Sequence, residues 1–157
     1  MVILVDSREQ RPLEFGCDFK RKGLKFGDYG CMFSATYQYP VVFERKGIGD
    51  LFGSLTYGYD RFRRMFERAA KANYKVIIAI EGTREKVLNG YPHSARDPES
   101  VIKQLETINN KYGVAHIFFP SRIAMSHYIC NYYYEEYINY GGINGKQINY
   151  QRTIMYN

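Results

Sequence analysis

Val41-Val42-Phe43-Glu44-Arg45-Lys46-Gly47-Ile48-Gly49-Asp50 begins as an apolar run, turns charged at Glu44, and ends in glycines and a second acid. The apolar run reads as a strand, and Gly47-Ile48-Gly49 as the place where a helix begins. Sixteen residues before Glu44 stands Asp28, in Gly27-Asp28-Tyr29. If both segments are strands of one antiparallel hairpin, its turn centres on Thr36, within the polar stretch Ser34-Ala35-Thr36-Tyr37-Gln38. Asp28 then faces Glu44 across the ladder, where opposed β-carbons lie about 5 Å apart. Side chains two apart on a strand share a face. Lys46 therefore joins the two acids, and Arg45 points away.

Two carboxylates about 4 Å apart repel by roughly 4 kcal/mol at an effective dielectric of 20. Lys46 offsets part of this. A divalent cation offsets more, and Mg²⁺ binds through one or two carboxylates while keeping several waters. The same residues also fit an exposed hairpin carrying an incidental Asp28–Lys46 salt bridge. Further acids converge on the place. Val2-Ile3-Leu4-Val5 reads as a strand buried on both faces, and Asp6-Ser7-Arg8-Glu9 leaves its carboxyl end, the edge where sites gather in α/β sheets. Asp50 follows at a helix start, where an N-cap or first-turn acid serves equally well as an explanation.

Gly27-Asp28, a spacer, then Glu44-Arg45-Lys46, three residues and Asp50 together resemble the signature of the XPF nuclease family. Val5-Asp6-Ser7-Arg8-Glu9 is similar to that family's first strand and its exit. Arg61-Phe62 opening a helix and Ile80-Glu81-Gly82 closing a strand also match, so the resemblance runs from about Met1 to Ile129. It implies a restriction-endonuclease-like fold, Mg²⁺ dependence with Mn²⁺ able to substitute, and cleavage of branched or flap DNA. It implies metal-ligand roles for Asp28 and Glu44, the catalytic lysine in Lys46, and flanking acids in Asp6 and Asp50. The backbone carbonyl of Arg45 is expected to complete the metal site; Asp6 and Asp50 would sit just behind it or bind a second ion, with Glu9 a weaker candidate for that. Family members usually carry a C-terminal pair of helix-hairpin-helix motifs. Gly141-Gly142-Ile143-Asn144-Gly145-Lys146 shares only glycine richness with such a motif. The expectation is a stand-alone nuclease domain over 1–140 with a Gly/Asn/Tyr-rich tail over 141–157. Its partners are DNA and a second copy, or another chain supplying DNA-binding motifs. A catalytically silent DNA-junction binding or scaffolding subunit is the alternative.

The basic side of the chain fits a polyanion. Net charge is +6, from 22 basic and 16 acidic residues. In the helix expected over Asp60–Ala72, Phe62, Met65, Phe66 and Ala69 recur at helical spacing. Arg61, Arg64, Arg68 and Lys71 form a stripe beside them. The expected DNA-binding set is this stripe together with Arg8; the other reading is a solvated face with Glu67 pairing Lys71. Cys17, Cys31 and Cys130 are odd in number and form no CxxC, which reads as reduced thiols in an intracellular protein, in cytoplasm or nucleoid, or nucleus if eukaryotic. No apolar stretch approaches a membrane span.

Strands are expected at Val2–Val5, Tyr29–Phe33, Val41–Glu44, Lys75–Ile80 and Ala115–Phe119, with Leu24–Phe26 a possible extension of the second. Helices are expected at Ile48–Leu55, Asp60–Ala72, Pro98–Tyr112 and Arg122–Tyr137, the last stopped by Gly141-Gly142. Asp97, Pro98 and Gly113 supply a cap, a first residue and a stop for the third. An early hairpin followed by crossovers predicts an α/β fold with a mixed sheet flanked by helices on both faces. Residues 131–157 hold seven tyrosines and five asparagines but two basic residues. That composition suits either an interface or an ordinary packed helix with a tail.

Overall fold

A computed structural model of the chain describes residues 1–143. Its elements, in chain order, are β1 (Val2–Asp6), β2 (Phe19–Lys22), β3 (Tyr29–Met32), β4 (Val41–Gly47), α1 (Ile48–Ser54), α2 (Tyr59–Lys71), β5 (Lys75–Glu81), α3 (Arg84–Leu88), α4 (Pro98–Tyr112), β6 (Ala115–Phe119) and α5 (Arg122–Ile143). The six strands form one mixed sheet in the order β2-β1-β3-β4-β5-β6. β3 is antiparallel to both β1 and β4, while β4, β5 and β6 run parallel. This is the restriction-endonuclease-like α/β arrangement expected.

The alternation of β4 sorts the core. Val42 packs with Ile78 and Ile80 of β5 under α1, α2, α3 and α4. Phe43 packs with Ile3, Val5 and Ala79 under Met125, Ile129 and Tyr133 of α5. Both faces are thus covered, as parallel strands require. α4 keeps the punctuation seen in the sequence: Asp97 accepts from Ser100 N at 2.8 Å, and Gly113 closes the helix in the left-handed region at φ 66°.

Several expectations need correcting. The hairpin turn centres nearer Ala35 than Thr36. Tyr29 pairs with Phe43 at the base, but Met32 bridges Gln38 and Tyr39 N donates to Cys31 O near the tip. The register therefore slips by two residues between Tyr39 and Phe43, which places the excess on the β4 side. Leu24–Phe26 is not strand, because the Leu24 amide is taken by Asp6 Oδ2 at 2.8 Å. β2 was not foreseen: all four of its residues are exposed, so Phe19-Lys20-Arg21-Lys22 shows no buried face. It is an edge strand, where charge is expected. α3 is too short for a helical period and is marked only by its Thr83 cap. α5 runs through Gly141-Gly142 to Ile143, so the expected 140/141 boundary falls inside a helix. The remainder of the Tyr/Asn-rich tail lies outside the described residues.

The cysteines also depart from expectation. Cys17 and Cys130 form a disulfide across 113 residues of sequence, and Cys31 is the buried free thiol. Cys17, ahead of β2, and Cys130, on α5, border the same apolar cluster. Tertiary packing, not spacing, brings them together. No helix among the described residues is long and apolar enough to cross a membrane.

Candidate active site

At the charged end of β4 the backbone delivers what the spacing requires. Asp28 N donates to Phe43 O at 2.8 Å, continuing the Tyr29–Phe43 register and setting Asp28 opposite Glu44. Gly27 makes this approach possible. It adopts φ 67°, and a β-carbon there would lie 2.8 Å from Phe43 O. Asp28 Oδ2 accepts the Arg45 backbone N–H at 2.7 Å. Lys46 Nζ binds Glu44 Oε1 at 2.8 Å and lies 4.9 Å from the Phe62 ring centre. The ion pair is therefore Lys46–Glu44 and not Lys46–Asp28. Burial, then the facing Glu44, push the Asp28 carboxyl up to about 7.

Asp6 sits beside them in the same cavity but is differently employed. Its Oδ1 accepts from Arg8 N and Nε at 2.7 and 2.9 Å, and its Oδ2 from an Arg8 terminal nitrogen and Leu24 N at 2.9 and 2.8 Å. The Arg8 side chain, against the opposing effect of burial, holds Asp6 down to about 2. Asp6 thereby fastens the exit of β1 to the Leu24 segment. Asp50 is exposed in the first turn of α1 and lines the cavity; Gly47, not Asp50, occupies the N-cap. Arg8 also gives a guanidinium N–H to Leu24 O at 2.8 Å, while its side chain stays 74% exposed at the cavity wall.

The cavity, about 520 Å³, gathers Asp28, Glu44, Lys46, Asp6 and Asp50. Arg61 and Arg68 of α2 line one wall, and Lys25 with Arg8 another. The expected basic stripe is therefore split: Arg64 and Lys71 are exposed on α2 but do not line the cavity. Glu67 pairs with Arg63 at 2.6 Å rather than with Lys71. Sequence reasoning missed Lys25 and Tyr57, both cavity residues. Lys25 follows the basic run Lys20-Arg21-Lys22, a signal that was available; Tyr57 carried none.

Arg45 turns to the opposite face, as the period of two requires. It binds Glu9 at 3.0 and 3.1 Å and Glu81 at 2.8 Å. Arg122 of α5 binds the same Glu81 oxygen at 2.9 Å and reaches the carbonyls of Arg11 and Pro12. Glu9 thus belongs to the back of the sheet, and Arg45's observed contribution to the site is its amide on Asp28.

No group of three or more His, Cys, Asp or Glu side chains among the described residues is arranged to hold a metal ion. The protein donors facing each other are two hard carboxylates beside an open cavity. That donor set fits Mg²⁺ or Mn²⁺ with retained waters, and not a closed zinc site.

A mixed sheet covered on both faces, with paired acids at the end of a central strand, makes this an α/β domain with an acidic cavity at its sheet edge. The family described as "ERCC4 domain" matches residues 5–132, and the chain belongs to that family. Among solved structures it is similar to XPF from Aeropyrum pernix in complex with DNA, at 25% identity and TM-score 0.64, covering 83% of this chain and 62% of that one. It is also similar to a second structure of XPF from Aeropyrum pernix, at 24% identity and TM-score 0.62, covering 82% of this chain and 61% of that one. The chain thus spans about three fifths of those structures. A search of curated proteins gave no match. Family membership supports a DNA nuclease-type function.

Proposed function

We propose that the chain is a divalent-metal-dependent endonuclease that hydrolyses phosphodiester bonds in branched or flap DNA. The observation that carries this is the Asp28–Glu44 pair. The fold sets two half-buried acids face to face, gives Asp28 no ion-pair partner among the described residues, and pushes its carboxyl up to about 7. A binding scaffold has no use for that repulsion; a cation site does.

Asp28 and Glu44 would hold Mg²⁺, with the Arg45 carbonyl as a further donor. When bound, the ion supplies Lewis acidity toward a phosphate oxygen and lowers the pKa of an attacking water. The Arg45 amide fixes the Asp28 carboxylate. Lys46, 2.8 Å from Glu44, would orient that water or neutralise charge developing on the phosphate. Asp6 keeps Arg8 at the wall, and Asp50 adds negative charge at the rim. Arg61, Arg68, Lys25 and Arg8 would hold the DNA backbone on either side. A second copy, or a partner chain with its own DNA-binding motifs, would add grip through avidity.

The test is cleavage of labelled flap, splayed-arm and duplex DNAs in Mg²⁺, Mn²⁺ or EDTA. Metal-dependent incision near the branch, lost in Asp28→Asn and Glu44→Gln, supports the proposal. Tight junction binding with no incision in either metal replaces it with the silent scaffold.

A further inference from the structure

Tyr57, in the turn between α1 and α2, is 92% exposed, more than any other large hydrophobic side chain among the described residues. An exposed tyrosine alone needs no explanation. This one stands on the rim of the cavity that holds Asp28 and Glu44. The turn that carries it is tied to α1, and its phenol lies over Gly53. A β-carbon on Gly53 would lie 2.8 Å from Tyr57 Oη and 3.2 Å from its Cζ, so the glycine leaves room for the phenol to rest on α1. Both flanking residues are tied to the end of that helix. Thr56 N and Gly58 N donate to Gly53 O at 3.2 and 3.0 Å, and Thr56 Oγ1 donates to Phe52 O at 2.7 Å. The result is an aromatic face open to solvent on a tethered turn, lining the same cavity as Arg61 and Arg68.

Cations hold phosphates, but an uncovered ring at the cavity offers something else. Aromatic side chains stack on nucleobases with little regard to sequence, because every base has a π-face. In continuous duplex those faces are covered by neighbouring pairs. Only an unpaired base, or the last base of an interrupted stack, can present one. We propose that Tyr57 stacks on such a base beside the phosphodiester held in the cavity, and so sets a preference for branched over continuous duplex DNA. This rests on the reading of the cavity as a phosphodiester site.

Fluorescence-anisotropy titrations of the full chain in EDTA would use three DNAs: a splayed arm, the same arm with abasic residues at its first unpaired positions, and plain duplex. The wild type is expected to bind the intact splayed arm about tenfold more tightly than the abasic form, in the range of one stacked base. Tyr57→Ala should bind both arms alike. Tyr57→Leu, which keeps apolar bulk without a π-face, should behave as alanine does, and Tyr57→Phe should keep the wild-type preference. An alanine variant that still distinguishes base from abasic site overturns the proposal, as does a wild type that does not. Incision in Mg²⁺, measured in parallel, separates the two claims. Base-dependent binding lost in Tyr57→Ala, with no incision by wild type, removes the nuclease and keeps the stacking site. Incision by wild type, with an alanine variant of unchanged selectivity, does the reverse. A wild type that binds no DNA removes both.

Discussion

Replacing Asp28 with Asn is expected to make the protein more stable while abolishing its activity. Asn keeps the shape and still offers a carbonyl oxygen to the Arg45 N–H, now 2.7 Å from Asp28 Oδ2. It removes the charge that burial and Glu44 oppose. The Asp28 carboxyl rises from 3.8 to about 7 in the fold. A carboxyl with a raised native pKa binds its proton more tightly when folded. Its contribution to stability is therefore intact below about pH 4 and is lost as pH climbs through about 7. Three pK units correspond to about 4 kcal/mol as a ceiling. The site is half-buried and solvent screens part of this, so about 2–3 kcal/mol should be visible. In a chain of this size that is a melting-temperature gain of roughly 5–10 °C. Calorimetric melts in EDTA should show the gain in Asp28→Asn at pH 8 and almost none at pH 4. Millimolar Mg²⁺ should then raise the wild-type melting temperature at pH 8 and leave the variant unmoved. A variant no more stable than wild type at pH 8, or equally stabilised at both pH values, would refute the claim that the two acids repel.

Glu44→Gln and Lys46→Ala should each lower incision at least about a hundredfold, while isothermal calorimetry still detects metal in the lysine variant. Neutralising Arg61 and Arg68 together should reduce the salt slope of duplex binding by up to about 1.8, at about 0.9 per lost phosphate contact. Neutralising Arg64 and Lys71 should change it less, and equal changes would mean the cavity wall is not the DNA wall. Asp6→Ala should cost about 2 kcal/mol in urea unfolding at pH 7, because it strands the Leu24 amide. That penalty should fade as pH drops from about 4 toward 2, where the wild-type carboxyl also protonates. A homodimer through the outer side of α5, where Ile123, Tyr134 and Ile138 stay exposed, should dissociate in an Ile123→Lys, Ile138→Lys double variant. Analytical ultracentrifugation showing a wild-type monomer at high concentration, with full incision, would exclude it.

Local periodicity carried the parts of the site that lie on one hairpin. Spacing alone set Asp28 against Glu44, brought Lys46 to them and sent Arg45 to the other face, and the register at Tyr29–Phe43 agrees. It could not locate the turn, because the two-residue slip near Pro40 is invisible to a symmetric count. Helical spacing likewise put Arg61, Arg64, Arg68 and Lys71 on one side of α2. What that side faces depends on α1, so only two of the four line the cavity. β2 escaped because an edge strand with every residue exposed shows no apolar alternation. The tyrosines of α5 were ambiguous in composition and are divided in fact. Tyr133 is fully buried with its hydroxyl on Val41 O at 2.9 Å, and Tyr137 and Tyr140 pack on Phe33, whereas Tyr134 faces outward.

The back of the sheet explains why the front can tolerate its acids. Repulsion between Asp28 and Glu44 would relax if the end of β4 moved away from Asp28. Two sets of bonds oppose that movement. β5 pairs with β4 through Gly47, holding the backbone along the strand. Arg45, whose side chain is 14% exposed, is gripped by Glu9 and Glu81 on the α5 face, and Arg122 ties Glu81 to α5 and to the carbonyls of Arg11 and Pro12. A buried arginine costs desolvation that its partners only partly return, so this network is a poor investment for stability alone. Its geometric effect is specific. It fixes Arg45, whose amide donates to Asp28 Oδ2 at 2.7 Å. The residue that the strand period sends away from the cavity thus anchors, on the far face, the amide that holds one of the two acids inside it.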